Sequence, residues 1–321
     1  MESLSKTKLT NDQLDIVIKA AFGKDTVIVN SRELTDGWFN TGYDLELGGG
    51  MSVILKVAPS NEVETLSCEK NIMRTEVEAL ALMANLGTIP VPEVYGYDYS
   101  HALIDFEYFL MEKIDGQPYN QVKDSLSSEE RNDIENELGE YSRLINEVRG
   151  ERFGYFNPKQ QPDVVTWREN FRQMIVDLLA DGRRLGAQMP APYETIEEEI
   201  LQRLFILDKV TDPCLVHWDL WNGNLFVKDG KISAIIDWER ALWGDPLLEY
   251  YFRHFENSEA FFQGYGSRCD SPKERERRLL YDLYLDLILV IECYSRKYEN
   301  EDHTRWVHEH LAEGWDRFVD G

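Results

Sequence analysis

The sequence predicts an α+β fold in two lobes, a β-rich first lobe with one inserted helix and a mainly helical second lobe. Three observations carry this. Short runs rich in Val, Ile and Leu, punctuated by turn residues, fill the first 112 residues. Helical periodicity dominates after residue 118, and 321 residues exceed what one hydrophobic core ordinarily fills. The change of pattern sets the expected boundaries: a lobe over 1–112, a connector over 113–118 and a second lobe over 119–321.

Residues 10–21 predict an opening helix, with Thr10 or Asn11 as N-cap ahead of Leu14, Ile16, Val17 and Ile18. Strands follow at 26–34, 42–47 and 51–58, and Gly48-Gly49-Gly50 turns the last two into a hairpin. Residues 67–86 read as a helix stopped by Gly87, and strands are expected at 94–99 and 104–111. Beyond the connector, helices are expected at 127–149, 165–185 and 196–209. A hairpin over 224–228 and 231–236 turns on Asp229-Gly230, and helices return at 246–253, 258–265, 272–296 and 302–318. No internal repeat or low-complexity linker interrupts this order.

Hydrophobic residues at 43% and aromatics at 12% describe an ordered globular chain. Lys and Arg number 34 against 59 Asp and Glu, a net charge of −25. Such a surface repels phosphate backbones, which argues against nucleic acid as a partner, and it tolerates cationic ligands. Cys68, Cys214, Cys269 and Cys293 form no C-x-x-C pair and read as reduced thiols. The longest apolar run, 283–294, is broken by Asp286 and Glu292, so no membrane span is expected. The first residues lack the apolar core of a signal peptide, and a cytoplasmic protein is the expectation.

The chemistry concentrates in residues 215–238, L-V-H-W-D-L-W-N-G-N-L-F-V-K-D-G-K-I-S-A-I-I-D-W. Asp219 precedes Asn224 at the D-x-x-x-x-N spacing of a kinase catalytic loop, and Asp237 ends an apolar strand. Phosphoryl transfer needs a carboxylate to take the acceptor's hydroxyl proton, which is the role read for Asp219. Asn224 and Asp237 offer the hard oxygen ligands that Mg²⁺ prefers. His217 reads as a loop-packing histidine. Upstream, Lys56 lies in the strand V-I-L-K-V as a phosphate-binding lysine would. Glu76 sits at the edge of a helical face marked by Met73, Val77, Leu80 and Ala84, where a carboxylate needs a cation. Glu76 is preferred over Glu69 as that partner. Gly37, Asn40 and Thr41, in T-D-G-W-F-N-T-G-Y, offer a phosphate-covering turn. Met111, Glu112 and Lys113 follow the fifth strand, where main-chain groups would read adenine. A G-x-x-x-x-G-K-[ST] loop is absent.

These motifs resemble the aminoglycoside phosphotransferase family of protein-kinase-like small-molecule kinases. H-W-D-L-W-N-G-N is similar to that family's H-G-D-L-H-P-G-N, and I-I-D-W-E to its I-D-F/W-E/D segment. Gly244-Asp245-Pro246 with Glu249 resembles its G-D-P-x-x-D-L element, and F-L-M-E-K-I-D-G its hinge. The resemblance implies a protein-kinase-like fold, ATP or GTP as donor, Mg²⁺, and a small-molecule hydroxyl as acceptor. Aminoglycosides, which are polycations, head the acceptor candidates, with choline, homoserine and methylthioribose as metabolic alternatives. Glu169, Asp177, Asp181 and Glu292 are either amine clamps or solvated helix faces. Trp218 occupies the arginine position of H-R-D, Glu239 replaces the glycine of D-F-G, and no activation segment fits before Gly244, which argues against a protein kinase. A silent nucleotide-binding regulator would show a lost base, lysine or metal ligand, and none is lost. Trp218 and Trp221 flank Asp219 as either acceptor-pocket plates or loop packing.

Overall fold

A computed structural model describes residues 6–35, 39–60, 63–156, 166–250, 252 and 258–320. Helix α1 (Asn11–Phe22) starts at Thr10, whose hydroxyl accepts from Gln13 N while the Gln13 side chain accepts from Thr10 N. This reciprocal pair satisfies two end donors that a helix leaves unpaired.

Five strands, β1 (Ile28–Leu34), β2 (Thr41–Leu47), β3 (Ser52–Val57), β4 (Val94–Asp98) and β5 (Tyr108–Glu112), form an antiparallel sheet in the order β1-β2-β3-β5-β4. Alternation along β3 sorts its side chains between two cores. Val53, Leu55 and Val57 are fully buried and pack with Leu14, Val17 and Ile18 of α1. Ile54 faces the other way, into the cluster that holds Met73 and Leu80 of α2 (Ile72–Leu86). Lys56 shares that second face, so period two alone aims it at α2.

The helix expected over 67–86 is shorter than its pattern. Ser67–Glu69 forms a 3₁₀ turn, Lys70 is extended, and Asn71 takes φ 59°, a left-handed backbone that Asn tolerates, before α2 begins at Ile72. Glu69 turns back to accept from Leu66 N at 2.8 Å, which closes the turn locally and removes Glu69 from α2. The buried face of α2 is also rotated from the expectation. Ala84 is exposed and Val77 half-buried, while Glu76 is wholly buried beside Met73, Leu80 and Met83.

After the sheet come β6 (Gln117–Pro118), the short helix α3 (Tyr119–Val122), α4 (Ser128–Glu147), β7 (Gly154–Tyr155), α5 (Trp167–Leu185) and α6 (Tyr193–Arg203). Then follow β8 (Cys214–Val216), β9 (Leu225–Lys228), β10 (Lys231–Ile235), β11 (Leu242–Gly244), α7 (Glu259–Tyr265), α8 (Pro272–Arg296) and α9 (Glu301–Asp320). The architecture is the expected α+β, protein-kinase-like one, an antiparallel sheet followed by a mainly helical part. Two small sheets, β10-β9-β6 and β7-β11-β8, are set among the helices. The β9–β10 turn uses Asp229 and Gly230 at φ 50° and 76°, both left-handed as a two-residue hairpin demands. Strands β6, β7, β8 and β11 have two or three residues each, too few for a periodic signal, and exist through their partners. Of the helix expected over 246–253, Pro246–Glu249 is a 3₁₀ turn with Asp245 accepting from Leu247 N, Tyr250 and Phe252 are α-helical, and residues 251 and 253 lie outside the described residues.

The large core of the helical part is aromatic at its centre. Trp167, Phe171, Tyr281 and Tyr284 are all buried, and the Trp167 indole donates to the Tyr281 hydroxyl at 2.8 Å. Buried polar tips on such rings need that kind of partner.

Candidate active site

Lys56 stands between two carboxylates. Its ammonium is 2.6 Å from Glu76 Oε1 and 2.8 Å from Asp237 Oδ1. Burial disfavours the ammonium, but Asp237, Glu76 and Glu239 outweigh it and hold Lys56 above its ordinary value. Burial pushes Glu76 up to about 7, with Lys56 opposing. Asp237 is penalised by burial too, yet Lys56 is close enough to keep it below the usual carboxylate range. Asp237 follows β10 in a left-handed backbone, φ 67° and ψ 54°, a turn that ends the strand.

The loop from His217 to Asn224 leaves β8 and is held from three sides. Glu249 accepts Trp218 N at 2.8 Å and Leu220 N at 3.0 Å, one on each carboxylate oxygen. His217 Nδ1 accepts from Asp219 N at 3.2 Å, which leaves Nε2 as the protonated nitrogen donating to Ile236 O at 3.0 Å. Burial lowers this imidazole to about 4, so it is a neutral strut between the loop and the residue before Asp237. Trp218, at φ 59°, is buried and stacks on Tyr284 with rings 5.7 Å apart and nearly parallel, while Trp221 is 43% exposed. Of the two readings for Trp218, loop packing is the one its burial supports.

Asn224 Nδ2 donates to both Asp219 O at 2.9 Å and Asp219 Oδ2 at 3.1 Å. Ile236 N donates to Asn224 O at 3.0 Å and so ties the loop to the strand that delivers Asp237. Burial raises Asp219 well above the usual carboxylate range; Arg240 opposes this, and Asp237 and Glu249 add to it.

Glu76, Asp237 and Glu239 bring carboxylate oxygens within 4.8 Å of one another, with Lys56 among them. Glu76 Oε2 is buried without a hydrogen-bond partner. Three carboxylates around one ammonium, with a spare buried oxygen on Glu76, keep acceptor capacity that suits a hard divalent cation. Asn40 donates to Glu239 Oε2 at 2.9 Å, bringing the turn ahead of β2 onto this cluster, and Thr41 beside it is buried. Gly37 lies outside the described residues. Met111 pairs with Ile54 across β5 and β3, Glu112 ends the strand opposite Val53, and Lys113 is 2.9 Å from Asp44.

Two of the four acidic residues read as either amine clamps or solvated helix faces are engaged within the chain. Asp181 accepts from Ser67 N at 2.6 Å and from Arg184 at 2.9 Å. Glu292 is buried and holds Arg240 and Arg296, the latter at 3.2 Å. Neither is a solvated face, because each neutralises an arginine. Arg240 escaped the sequence reading altogether. A single arginine after a metal-type aspartate carries no periodic or motif signal, and only the packing of α8 against it exposes its role. Among the described residues, the cysteines are all free thiols, and no helix is long and apolar enough to cross a membrane.

The sheet with Lys56, the Glu76–Asp237 cluster and the loop are those of a kinase-like phosphotransferase, and residues 31–268 match the phosphotransferase enzyme family. The chain belongs to that family. A probable ketoamine kinase of Synechocystis sp. is 22% identical over 83% of this chain and 86% of its own length. The hygromycin-B 4-O-kinase of Escherichia coli is 29% identical, but over only 30% of this chain and 28% of its own. In fold, the chain is similar to a thermostable mutant of aminoglycoside phosphotransferase APH(4)-Ia, solved with AMP-PNP and hygromycin B. The TM-score is 0.66 at 19% identity, over 96% of this chain and 98% of that one. The streptomycin–ATP complex of APH(2")-IIa gives 0.64 at 17% identity, over 98% of both chains.

Proposed function

We propose that this phosphotransferase moves the γ-phosphoryl group of ATP onto a hydroxyl of a small molecule. The observation that carries the reading is the Lys56 ammonium held at 2.6 Å from Glu76 and 2.8 Å from Asp237, on the strand and turn that face the Asp219–Asn224 loop. Asp219 takes the acceptor's proton as the new O–P bond forms and the bond to the β-phosphate oxygen breaks, releasing ADP. Asn224 and Asp237 are the ligands that would hold Mg²⁺, which supplies charge neutralisation on the phosphates when bound. Lys56 pairs with the phosphates and Glu76 keeps it aimed. The turn at Asn40 and Thr41 covers them, and main-chain groups at Met111, Glu112 and Lys113 meet the purine, with GTP as an alternative donor. The nucleotide lobe spans 1–112, the connector 113–118 and the acceptor lobe 119–321.

Related proteins supply two acceptor classes, a ketoamine and an aminoglycoside, and the ketoamine kinase aligns over far more of the chain. An ADP-release screen over sugars, ketoamines, aminoglycosides and amino alcohols tests the function, with Asp219→Ala as control. Turnover that is unchanged in Asp219→Ala would overturn the assignment.

A further inference from the structure

A narrow cleft, open to solvent at its mouth, lies between the segment preceding α2 and the helical part. Glu69 and Lys70 line one wall, and Trp218, Glu239, Arg240 and Arg296 line the other. Trp218 is the residue before Asp219, so the cleft begins beside the proposed base.

Its charges are unevenly satisfied. Glu69 accepts from Arg296 and, at 2.8 Å, from Leu66 N. Glu239 takes the Asn40 amide and belongs to the carboxylate cluster around Lys56. Glu292, just behind the wall, is shared by Arg240 and Arg296. The carboxylates are therefore engaged. The spare valence is on the cations. Arg296 is only 5% exposed, yet its Nε is buried without a partner. The Arg240 side chain is 18% exposed, and it grips Glu292 through one terminal nitrogen of a five-donor group. Unfilled guanidinium donors call for a partner that brings acceptor oxygens and negative charge. An ammonium brings neither.

Resting on the phosphotransferase reading, we infer that the acceptor is a hydroxylated molecule bearing a carboxylate, which this cleft binds through Arg240 as the specificity-determining residue. The carboxylate anchors on the guanidinium while a hydroxyl of the same molecule reaches Asp219. Polycationic acceptors are then poor substrates, although the chain's overall charge of −25 would attract them.

The test uses the full chain with Mg²⁺ and matched acceptors differing in one group: D-gluconate, D-glucitol and 1-amino-1-deoxy-D-glucitol; D-glycerate, glycerol and 3-amino-1,2-propanediol. Thermal shift of the AMP-PNP complex reads binding, and ADP release from ATP reads turnover. The expected result is that an acid is the strongest binder and best acceptor, by at least tenfold over its matched amine. Arg240→Gln combined with Glu292→Gln, which removes one buried charge of each sign, should raise KM for the acid at least tenfold while KM for the matched alcohol changes less than threefold. Arg240→Lys, which retains charge without the fork, should fall between. The inference is overturned if an alcohol or amine is the best ligand, if no acid shifts the AMP-PNP complex, or if the preference for acids survives in the variants. Binding of acids without any ADP release would instead overturn phosphoryl transfer itself, and failure of AMP-PNP to bind would remove both.

Discussion

Glu249 accepts the main-chain N–H of Leu220 at 3.0 Å, and its second oxygen takes Trp218 N, so the residue between them, Asp219, is positioned by a side chain thirty places further on. Both donors are buried and would otherwise lack water. Glu249→Ala should therefore leave two orphaned N–H groups, at about 1–3 kcal/mol each. Urea unfolding should show a loss of that order, and kcat should fall more than the KM for ATP, because the loop rather than the nucleotide site loosens.

Lys56 and Glu76 form a pair whose carboxylate is wholly buried. Removing one member of a buried pair strands the other, which typically costs about 3–5 kcal/mol. Lys56→Met is expected to destabilise the free protein less than Lys56→Ala, since it refills the volume, while both should weaken ATP binding by at least tenfold. Titration calorimetry with AMP-PNP and Mg²⁺ checks this.

If Asp219 is the base, Asp219→Asn should reduce kcat by about 10²–10⁴-fold, the usual range for general base catalysis. The Asn224 contact at 2.9 Å to Asp219 O survives that change, so binding of AMP-PNP should be nearly unaffected. Equal losses in nucleotide binding and turnover would assign Asp219 a structural role.

Asp282 on α8 is pushed up to about 7 by burial, with Arg278 and Arg317 opposing, and its Oδ1 has no partner. The folded chain therefore binds this proton more tightly than the unfolded one. The penalty is fully present above pH 7 and fades as pH falls toward the unfolded value, so this group makes stability decline as pH rises through that window. Asp282→Asn should raise stability at pH 8 by roughly 2 kcal/mol and change little at pH 4. Denaturation midpoints at both pH values decide it.

Magnesium should be required for nucleotide-induced stabilisation. Adding EDTA, or replacing Asp237 by Asn, is expected to remove most of the Tm increase given by AMP-PNP. An undiminished increase in EDTA would argue against Asp237 as a metal ligand.

Much of the fold was legible because its signals are local. The capping box at Thr10, the Asp229-Gly230 turn, the period-two alternation of β3 and the span of α8 each depend on residues within one element. The reading failed where distant groups decide. Apolar periodicity ran through 67–71, but a capping bond from Glu69 and a left-handed Asn71 broke it, and Glu69 went to Arg296 on α8. The strands β6, β7, β8 and β11 are too short to announce themselves without their neighbours.

The sequence by itself determined the spacing of Asp219, Asn224 and Asp237 and the side of β3 on which Lys56 falls, since both follow from chain connectivity and strand period. Tertiary structure decided which carboxylate meets Lys56, that Trp218 packs on Tyr284, and that Asp181 and Glu292 pair with arginines. A charge shows its sign in sequence, but its partner is set by packing, 20 residues away for Lys56 and Glu76 and 52 for Arg240 and Glu292, where burial makes an unpaired ion too costly to leave alone.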